Sequence, residues 1–496
     1  MPNLNFVGKS KVVNYHRDVS FRFLERQYGS SENMIIHGDN LLALRALLAT
    51  HRGKIKCIYI DPPYNTGNEN WIYNDNVNDP EIRSWIGKVV GDEETDLNRH
   101  DKWLCMMYPR LRLLHELLSD DGVIFISIDY NENYNLRSIC NEIFGELNFI
   151  GEIYWESKTK SQNTITAYNK LQPKMEMIFV YSKNQKRKFN LINAGRKIYD
   201  LQDAHGIYRE HQLEFMNAKG VRGRESMVFD ITVGEKTVSP PEGRQWQIGV
   251  ESVEKYKQAG DLIERDGKIF IKMRPEYERV EKTEPFWGFF SKEIGTAESA
   301  KKELSAIISN HNFETVKPVK LIKRLIFHST DKNSIILDAF AGSGTTAQSV
   351  IELNREDQGS RKFILIESMD YCESITAERV RRIGGDFSFY ELGDPIFIED
   401  QLNPDISRDL FRRYLFYSET KKEIPPMNPD ESTLLGIHDG IAYHLFNGNL
   451  DLKSLAQIKT RSESYVIFAE SCTISEKTRD QFKIIFRKIP RDIRRI

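Results

Sequence analysis

Cysteine is scarce in this chain of 496 residues: Cys57, Cys105, Cys140, Cys372 and Cys472 are all there is, and no two form a Cys-x-x-Cys pair. That spacing excludes a cysteine-based zinc site and a disulfide framework. It suits a reducing compartment, so a cytoplasmic location is expected. An excess of one charge is also lacking. The 70 basic and 72 acidic residues leave a net −2, so total charge says nothing about nucleic acid and only local clustering could. Long hydrophobic runs are missing: none exceeds six residues, the length of the charge-free stretch Val123–Ile128, against about 20 for a membrane span. The opening Met1-Pro2-Asn3-Leu4-Asn5 has no basic stretch leading into an apolar one, and no secretory signal is expected. There is no fixed-period repeat, which excludes a solenoid. The eleven histidines form no pair at metal-ligand spacing beside Cys or Asp, so no metal is expected. With 40% hydrophobic and 29% charged residues, the composition is that of a folded protein of about three domains.

What is present is strand-helix alternation. Met34–His37, Ile55–Ile60 and Val123–Ile128 read as buried strands, and Leu41–Leu48 and Lys102–Leu118 carry helical spacing. Ile150–Trp155 and Met175–Tyr181 add two strands. This alternation predicts a mostly parallel sheet covered on both faces. From 184 to about 310 the pattern breaks into short strands, turns and aromatics. It resumes near Lys317 with a helix, the strand Ser334–Leu337, a Gly-rich turn, a helix from Thr345 to Leu353 and the strand Lys362–Ile366. Past 385, Pro425-Pro426 and Asn428-Pro429 resemble a linker, followed by strands near Ile441–Phe446, Tyr465–Ala469 and Phe482–Arg487. The expected architecture is one α/β core, residues 1–183 and 311–385, split by an insertion at 184–310 and followed by a small α+β domain at 386–496.

Asp61-Pro62-Pro63-Tyr64 directly follows the strand Ile55–Ile60, where open α/β sheets place their ligands. The prolines fix φ and carry no backbone donors, leaving carbonyls to accept. Asp61 adds a carboxylate and Tyr64 a flat face. Acceptors beside a stacking plane suit the amino group of a flipped nucleobase; a strand-terminating turn with a solvated Asp is the plainer alternative.

The second motif is Asp338-Ala339-Phe340-Ala341-Gly342-Ser343-Gly344-Thr345-Thr346. Its glycines let backbone approach a ligand, and a helix starting near Thr345 presents free amides. It lacks the lysine of a phosphate-binding P-loop, which excludes nucleotide hydrolysis. A ribose-binding acid should close the next strand about 20 residues on, and Glu367 stands 23 residues after Gly344.

With Asp61-Pro62-Pro63-Tyr64 upstream of Phe340-x-Gly342-x-Gly344, the chain resembles the β-group of amino-methylating DNA methyltransferases, in which the catalytic half precedes the cofactor half. The stretch Asp61–Asn68, the segment His100-Asp101-Lys102-Trp103-Leu104, Asp121–Asp129, Lys317-Pro318-x-x-Leu321-Ile322 and Ile489-Pro490-Arg491-Asp492-Ile493 are similar to the modification (Mod) subunits of type III restriction systems. The resemblance implies a Rossmann-like methyltransferase core with permuted motif order, an inserted target recognition domain and a C-terminal α+β domain. It implies that Asp61, Pro62, Pro63 and Tyr64 form the catalytic motif. Asp338, Phe340, Ala341, Gly342, Ser343, Gly344 and Thr345 would cradle S-adenosyl-L-methionine, and Glu367 would hold its ribose. Asp39 matches a position near the cofactor's adenine, with a plain helix cap as the alternative. Lys317 matches the family's lysine before the cofactor strand, or is an exposed helix-start lysine. Asp129 is a sheet-edge acid or a solvated loop acid.

The activity so implied is methylation of adenine's amino group in double-stranded DNA by direct in-line transfer. Asp rather than Ser at the first motif position favours adenine by family analogy, and cytosine N(4) is the alternative within the class. No cysteine follows a proline, so the nucleophile of cytosine-C5 enzymes is missing. A restriction endonuclease and a catalytically silent recognition module are the rival classes; Glu156-x-Lys158 is too weak to carry the first. The implied partners are double-stranded DNA, with a homodimer and a restriction subunit left open, and no membrane. Lys183–Arg224 holds ten basic and four acidic residues, and Lys483–Ile496 six basic residues against Asp492. Either could follow a phosphate backbone or be solvated surface. Arg222, Arg224, Arg244 and Asn217 are the insertion's candidates for groove reading.

Overall fold

The computed structural model describes residues 4–66, 96–160, 171–220, 223–309, 311–313, 315–398, 401–420, 422, 424, 433–458 and 461–489. Gly67, Asn68, Arg222, the expected linker prolines and Pro490–Ile493 lie outside the described residues. The chain forms two compact units, Met1–Asn190 with Trp287–Ile496, and Leu191–Phe286.

The first unit is built on a ten-stranded sheet. Its strands, in chain order, are β1 (Arg22–Tyr28), β2 (Met34–His37), β3 (Ile55–Ile60), β4 (Leu118–Ile128), β5 (Phe149–Glu156), β6 (Met175–Ser182), β7 (Phe289–Phe290), β8 (Ile335–Asp338), β9 (Lys362–Glu367) and β10 (Ser388–Pro395). Their order across the sheet is β1-β10-β2-β9-β8-β3-β4-β6-β5-β7. The six strands from β10 to β4 run parallel, while β1, β5 and β6 join through antiparallel pairs. β3, β8 and β9 are almost wholly buried, as strands covered on both faces must be, and so they read as unbroken apolar runs.

Helices α1 (Asn40–His51), α2 (Asp96–Leu117), α3 (Asn133–Phe144), α4 (Val319–Ser329) and α5 (Thr345–Asp357) supply the connections and cover. Asp39 caps α1, its carboxylate accepting from Leu41 N and Leu42 N. From α2, buried Arg110 donates to Asn40 Oδ1 at 2.5 Å, to Met106 O at 2.8 Å and to Asp39 Oδ2 at 3.2 Å. Asn40 in turn donates to Ala339 O at 2.9 Å. One arginine thus ties two helices to the turn that follows β8.

The expected domain limits differ from the observed ones. Phe289 and Phe290 pair with Tyr154 and Trp155 in the main sheet, so the second unit ends at Phe286 rather than 310. The boundary expected at 386 lies ahead of β10, a strand of the core. Beyond it, Leu434–His438, Ile441–Leu445, Ser464–Ala469 and Ile484–Lys488 form a four-stranded sheet. That sheet shares a core with the N-terminal segment, where Phe21 stacks on Tyr417 with ring centroids 5.8 Å apart. The second unit has its own four-stranded sheet and a core of Leu213, Trp246, Val253, Ile269 and Ile271. Among the described residues, no helix is long and apolar enough to cross a membrane.

Arg110→Met should cost about 3 kcal/mol of stability, because it leaves Asp39 and Asn40 without their buried partner. Urea unfolding of the full chain measures it; a loss below 1 kcal/mol would mean that the arginine is not a tie.

Candidate active site

The sheet creates the site before any side chain does. The connection leaving β8 runs to β9 on one side, and the connection leaving β3 runs to β4 on the other. Between these neighbours, where Ile336 lies beside Cys57 and Leu337 beside Ile58, the outgoing loops diverge and open a crevice at the carboxyl ends of the strands. Asp61 follows β3, Asp338 ends β8 and Glu367 ends β9. The two sequence motifs therefore meet although β3 and β8 come from opposite ends of the core.

On the β3 side, Lys317 Nζ donates to both Asp61 oxygens, at 2.8 and 2.7 Å, and to the Tyr64 hydroxyl at 3.0 Å. It lies 3.5 Å from Glu176 Oε2. The Tyr64 hydroxyl is 2.8 Å from Asp61 Oδ1 and 3.1 Å from Glu176 Oε2. Burial, then the Asp61 and Glu176 charges, push the tyrosine well above its ordinary pKa, so it remains a donor. Burial works against the Lys317 ammonium, but Asp61 and Glu176 outweigh it and raise its pKa. Lys317, expected on the cofactor side, is thus placed against the carboxylate of the Asp-Pro-Pro-Tyr turn.

The turn is held from behind. Trp103, fully buried, donates its indole N–H to Pro63 O at 2.7 Å. Asn65 takes a left-handed φ of 55°, which asparagine tolerates better than most residues. Its amide donates to buried Glu132, which also meets His100 Nδ1 at 2.6 Å and Asn135 Nδ2 at 2.7 Å.

On the β8 side, Asp338 Oδ1 accepts from Phe340 N at 3.0 Å and Oδ2 from Thr346 Oγ1 at 2.5 Å. Ala341 N donates to Ile366 O, and Gly342 N to Glu367 Oε2 at 2.8 Å. Glu367 Oε1 accepts from Ser368 N and Met369 N. Gly342 and Gly344 sit at φ 51° and 83°. Among the described residues, a Cβ on Gly342 would meet only Phe313 Cε1, at 3.7 Å, whereas one on Gly344 would press on Thr376. The turn therefore leaves room beside Gly342, next to a carboxylate. Phe340 itself packs into the main core. Ser343 and Thr345 turn their hydroxyls to Arg379, whose Nη1 donates to them at 2.9 and 3.0 Å while Nε holds Gln348. Burial lowers Arg379 to about 10 and pushes both Asp338 and Glu367 up to about 7.

The other candidates are placed as follows. Asp39 is committed to the α1 cap and Arg110. Asp129 accepts from Asn131 N and Nδ2 in a local turn. Glu156 pairs with Lys174 at 2.7 Å. In the second unit, exposed Asn217 and Arg244 lie directly opposite each other on a two-stranded ribbon, and Arg224 N donates to Gln245 beside them. Sequence motifs do not point to Glu176, Arg379 or Glu132. Glu176 carried one signal, a lone acid inside the apolar run Met175–Ser182.

Residues 55–378 match the model of the DNA methylase family that covers N6- and N4-directed enzymes. The chain belongs to the DNA methylase family. It is 31% identical over 377 residues to the type III restriction-modification enzyme EcoPI Mod subunit of Escherichia phage P1, covering 68% of this chain and 58% of that protein. The StyLTI Mod subunit of Salmonella typhimurium is 31% identical over 432 residues, covering 80% of this chain and 62% of its own length. The type II methyltransferase M.KpnI of Klebsiella pneumoniae is 31% identical over 361 residues, covering 68% of this chain and 81% of its own. The chain thus spans about three fifths of the Mod subunits it matches.

A raised carboxyl pKa gives a definite sign to the pH dependence of this protein's stability. The stability attached to Asp338 is complete below its unfolded pKa of about 4 and is lost as pH rises to about 7. The stability difference between wild type and Asp338→Asn should therefore shift against the wild type across that interval. Denaturant titrations at several pH values measure it, and a constant difference would show that Asp338 is not the titrating group.

Proposed function

We propose that this protein is a site-specific DNA methyltransferase acting on the amino group of adenine in double-stranded DNA. The observation that carries the reading is the meeting of Asp61 with the Gly342–Gly344 turn at the crevice between β3 and β8. S-adenosyl-L-methionine, when bound, supplies an activated methyl group. The residues present fit it: Glu367 is an acceptor for ribose hydroxyls, and the glycine turn has room for close backbone approach.

The amino nitrogen of adenine is a weak nucleophile, because its lone pair is delocalised into the ring. Asp61 and the Pro62 carbonyl accept hydrogen bonds from it, favouring a more tetrahedral nitrogen and stabilising the positive charge that develops on it. Tyr64, its hydroxyl anchored between two carboxylates, offers a ring of fixed orientation for stacking, so catalysis is mainly positioning. No covalent enzyme intermediate is needed. Extruding the base costs a few kcal/mol, offset by pocket and backbone contacts. Asn217, Arg224 and Arg244 support a role for the second unit in reading the groove, since phosphate contacts alone position without specifying. The tail after 395 serves assembly or further DNA contacts. Because the EcoPI and StyLTI relatives are named as Mod subunits of type III restriction-modification enzymes, a restriction subunit is the partner proposed here.

Mass spectrometry of nucleosides from DNA exposed to the protein should find N6-methyladenine; N4-methylcytosine instead would reverse the choice of base. Asp61→Ala should lose at least about a hundredfold in transfer while calorimetry finds cofactor affinity nearly intact; normal transfer would remove Asp61 from the mechanism. Gly342→Val should weaken cofactor binding about tenfold or more, and equal affinity would break the link between the two motifs. Because ionised Glu367 is the stronger acceptor for ribose hydroxyls, affinity should fall as pH drops below about 7, by up to about tenfold per pH unit.

A further inference from the structure

Two carboxylates share one phenolic proton in this site, and the reaction proposed above employs only one of them. The Tyr64 hydroxyl is within hydrogen-bond distance of Asp61 Oδ1 and Glu176 Oε2, at 2.8 and 3.1 Å, yet it has a single proton to give. Lys317 donates to the hydroxyl oxygen at 3.0 Å and meets both carboxylates. Glu176 stands between Met175 and Met177 in β6, with its side chain 16% exposed. An apolar residue would serve the strand better than a mostly buried acid, so its presence calls for a use.

We propose that Glu176 takes up, through the Tyr64 hydroxyl, the proton that methyl transfer delivers to Asp61, with Lys317 positioning the three groups. This rests on the methyltransferase reading. The nitrogen lone pair forms the new N–C bond as the C–S bond breaks and its electron pair stays on sulfur. The nitrogen is left cationic, with one proton more than the neutral product, and Asp61 accepts that proton. Asp61 then passes a proton to the Tyr64 oxygen while Tyr64's own proton moves to Glu176. Asp61 is again a carboxylate and the phenol is unchanged; Asp61 is the more exposed of the two acids, 30% against 16%, but its open face is the one the base covers, so the proton leaves to water from Glu176. Tyr64 conducts without ionising, because burial and its acidic neighbours keep it protonated. Lys317 stays charged because Asp61 and Glu176 outweigh its burial, which makes it a positioning residue and not the carrier.

Glu176→Gln, Tyr64→Phe and Lys317→Arg in the full chain test this, using a tritiated methyl donor and unmethylated DNA. Glu176→Gln should bind cofactor within about twofold of wild type, make its first turnover within about threefold, and lose about a hundredfold in later turnovers. Added acetate should restore part of the loss, and Lys317→Arg should retain more activity than Lys317→Met. Equal loss in first and later turnovers, or no rescue by acetate, overturns the relay. If Glu176→Gln fails to fold, Tyr64→Phe decides instead: it should show the same loss in later turnovers, and full turnover would end the proposal. An independent readout needs no reaction. In the cofactor-free protein, Tyr64→Phe should move two carboxylate bands in the infrared difference spectrum, and movement of one band alone contradicts a shared proton. Failure of the underlying reading looks different: the wild type itself would transfer no methyl to DNA, or Asp61→Asn would remain active.

Discussion

Parallel pairing of β3 with β8 is the contact on which the rest depends. Each strand is short and apolar, and neither carries chemistry in its middle; what matters is that their ends coincide. Register places Ile58 beside Leu337, so the residues just beyond, Asp61 and Asp338, emerge at one edge. A shift of register would move one loop along the strand axis by about 3.3 Å per residue, far enough to separate Asp61 from the glycine turn. The surrounding ties hold that relation. Arg110, Asn40 and Ala339 link helix α1 to the turn after β8, and Lys317, just ahead of α4, reaches across to Asp61.

The same physics decides what could be read from the chain. β3, β8 and β9 are legible because a strand buried on both faces is an apolar run. β1, with the sequence Arg-Phe-Leu-Glu-Arg-Gln-Tyr, is mostly exposed along its second half and pairs with β10 from the far end of the core. Neither has a local pattern strong enough to declare itself, so β10 reads as the start of the tail. β7 is two residues long and exists only because β5 offers an edge. In the site, Asp61, Gly342, Gly344 and Glu367 are legible because motif and strand end coincide. Glu176, Arg379 and Glu132 act by proximity alone, each reaching a motif from a distant segment. Lys317 is the intermediate case: its position is legible but its partner is not, because nothing in sequence brings residue 317 to residue 61.

Four acids converge on the crevice, and the structure treats them in two ways. Asp338 and Glu367 are held by dipoles: backbone N–H groups for both, and the Thr346 hydroxyl for Asp338. Dipoles offset burial only in part, and both acids are pushed up to about 7. Asp61 and Glu176 are instead paired with a full positive charge on Lys317. A full charge at contact distance outweighs a few N–H dipoles in a partly dry site.

That division matches the work proposed for each side. A proton acceptor must present its oxygens to the incoming amino group, and Lys317 holds both oxygens of Asp61 in place. The acids beside the glycine turn meet a ligand that carries its own positive charge on sulfur. Their burial is a cost in the free protein, which a cationic ligand held nearby would offset by favouring the ionised form. Like charges at one edge are therefore not a flaw of the fold that the lysine repairs. They divide the crevice into a half neutralised from within and a half left to be neutralised by what binds there, and the strand order together with the reach of Lys317 sets the line between them.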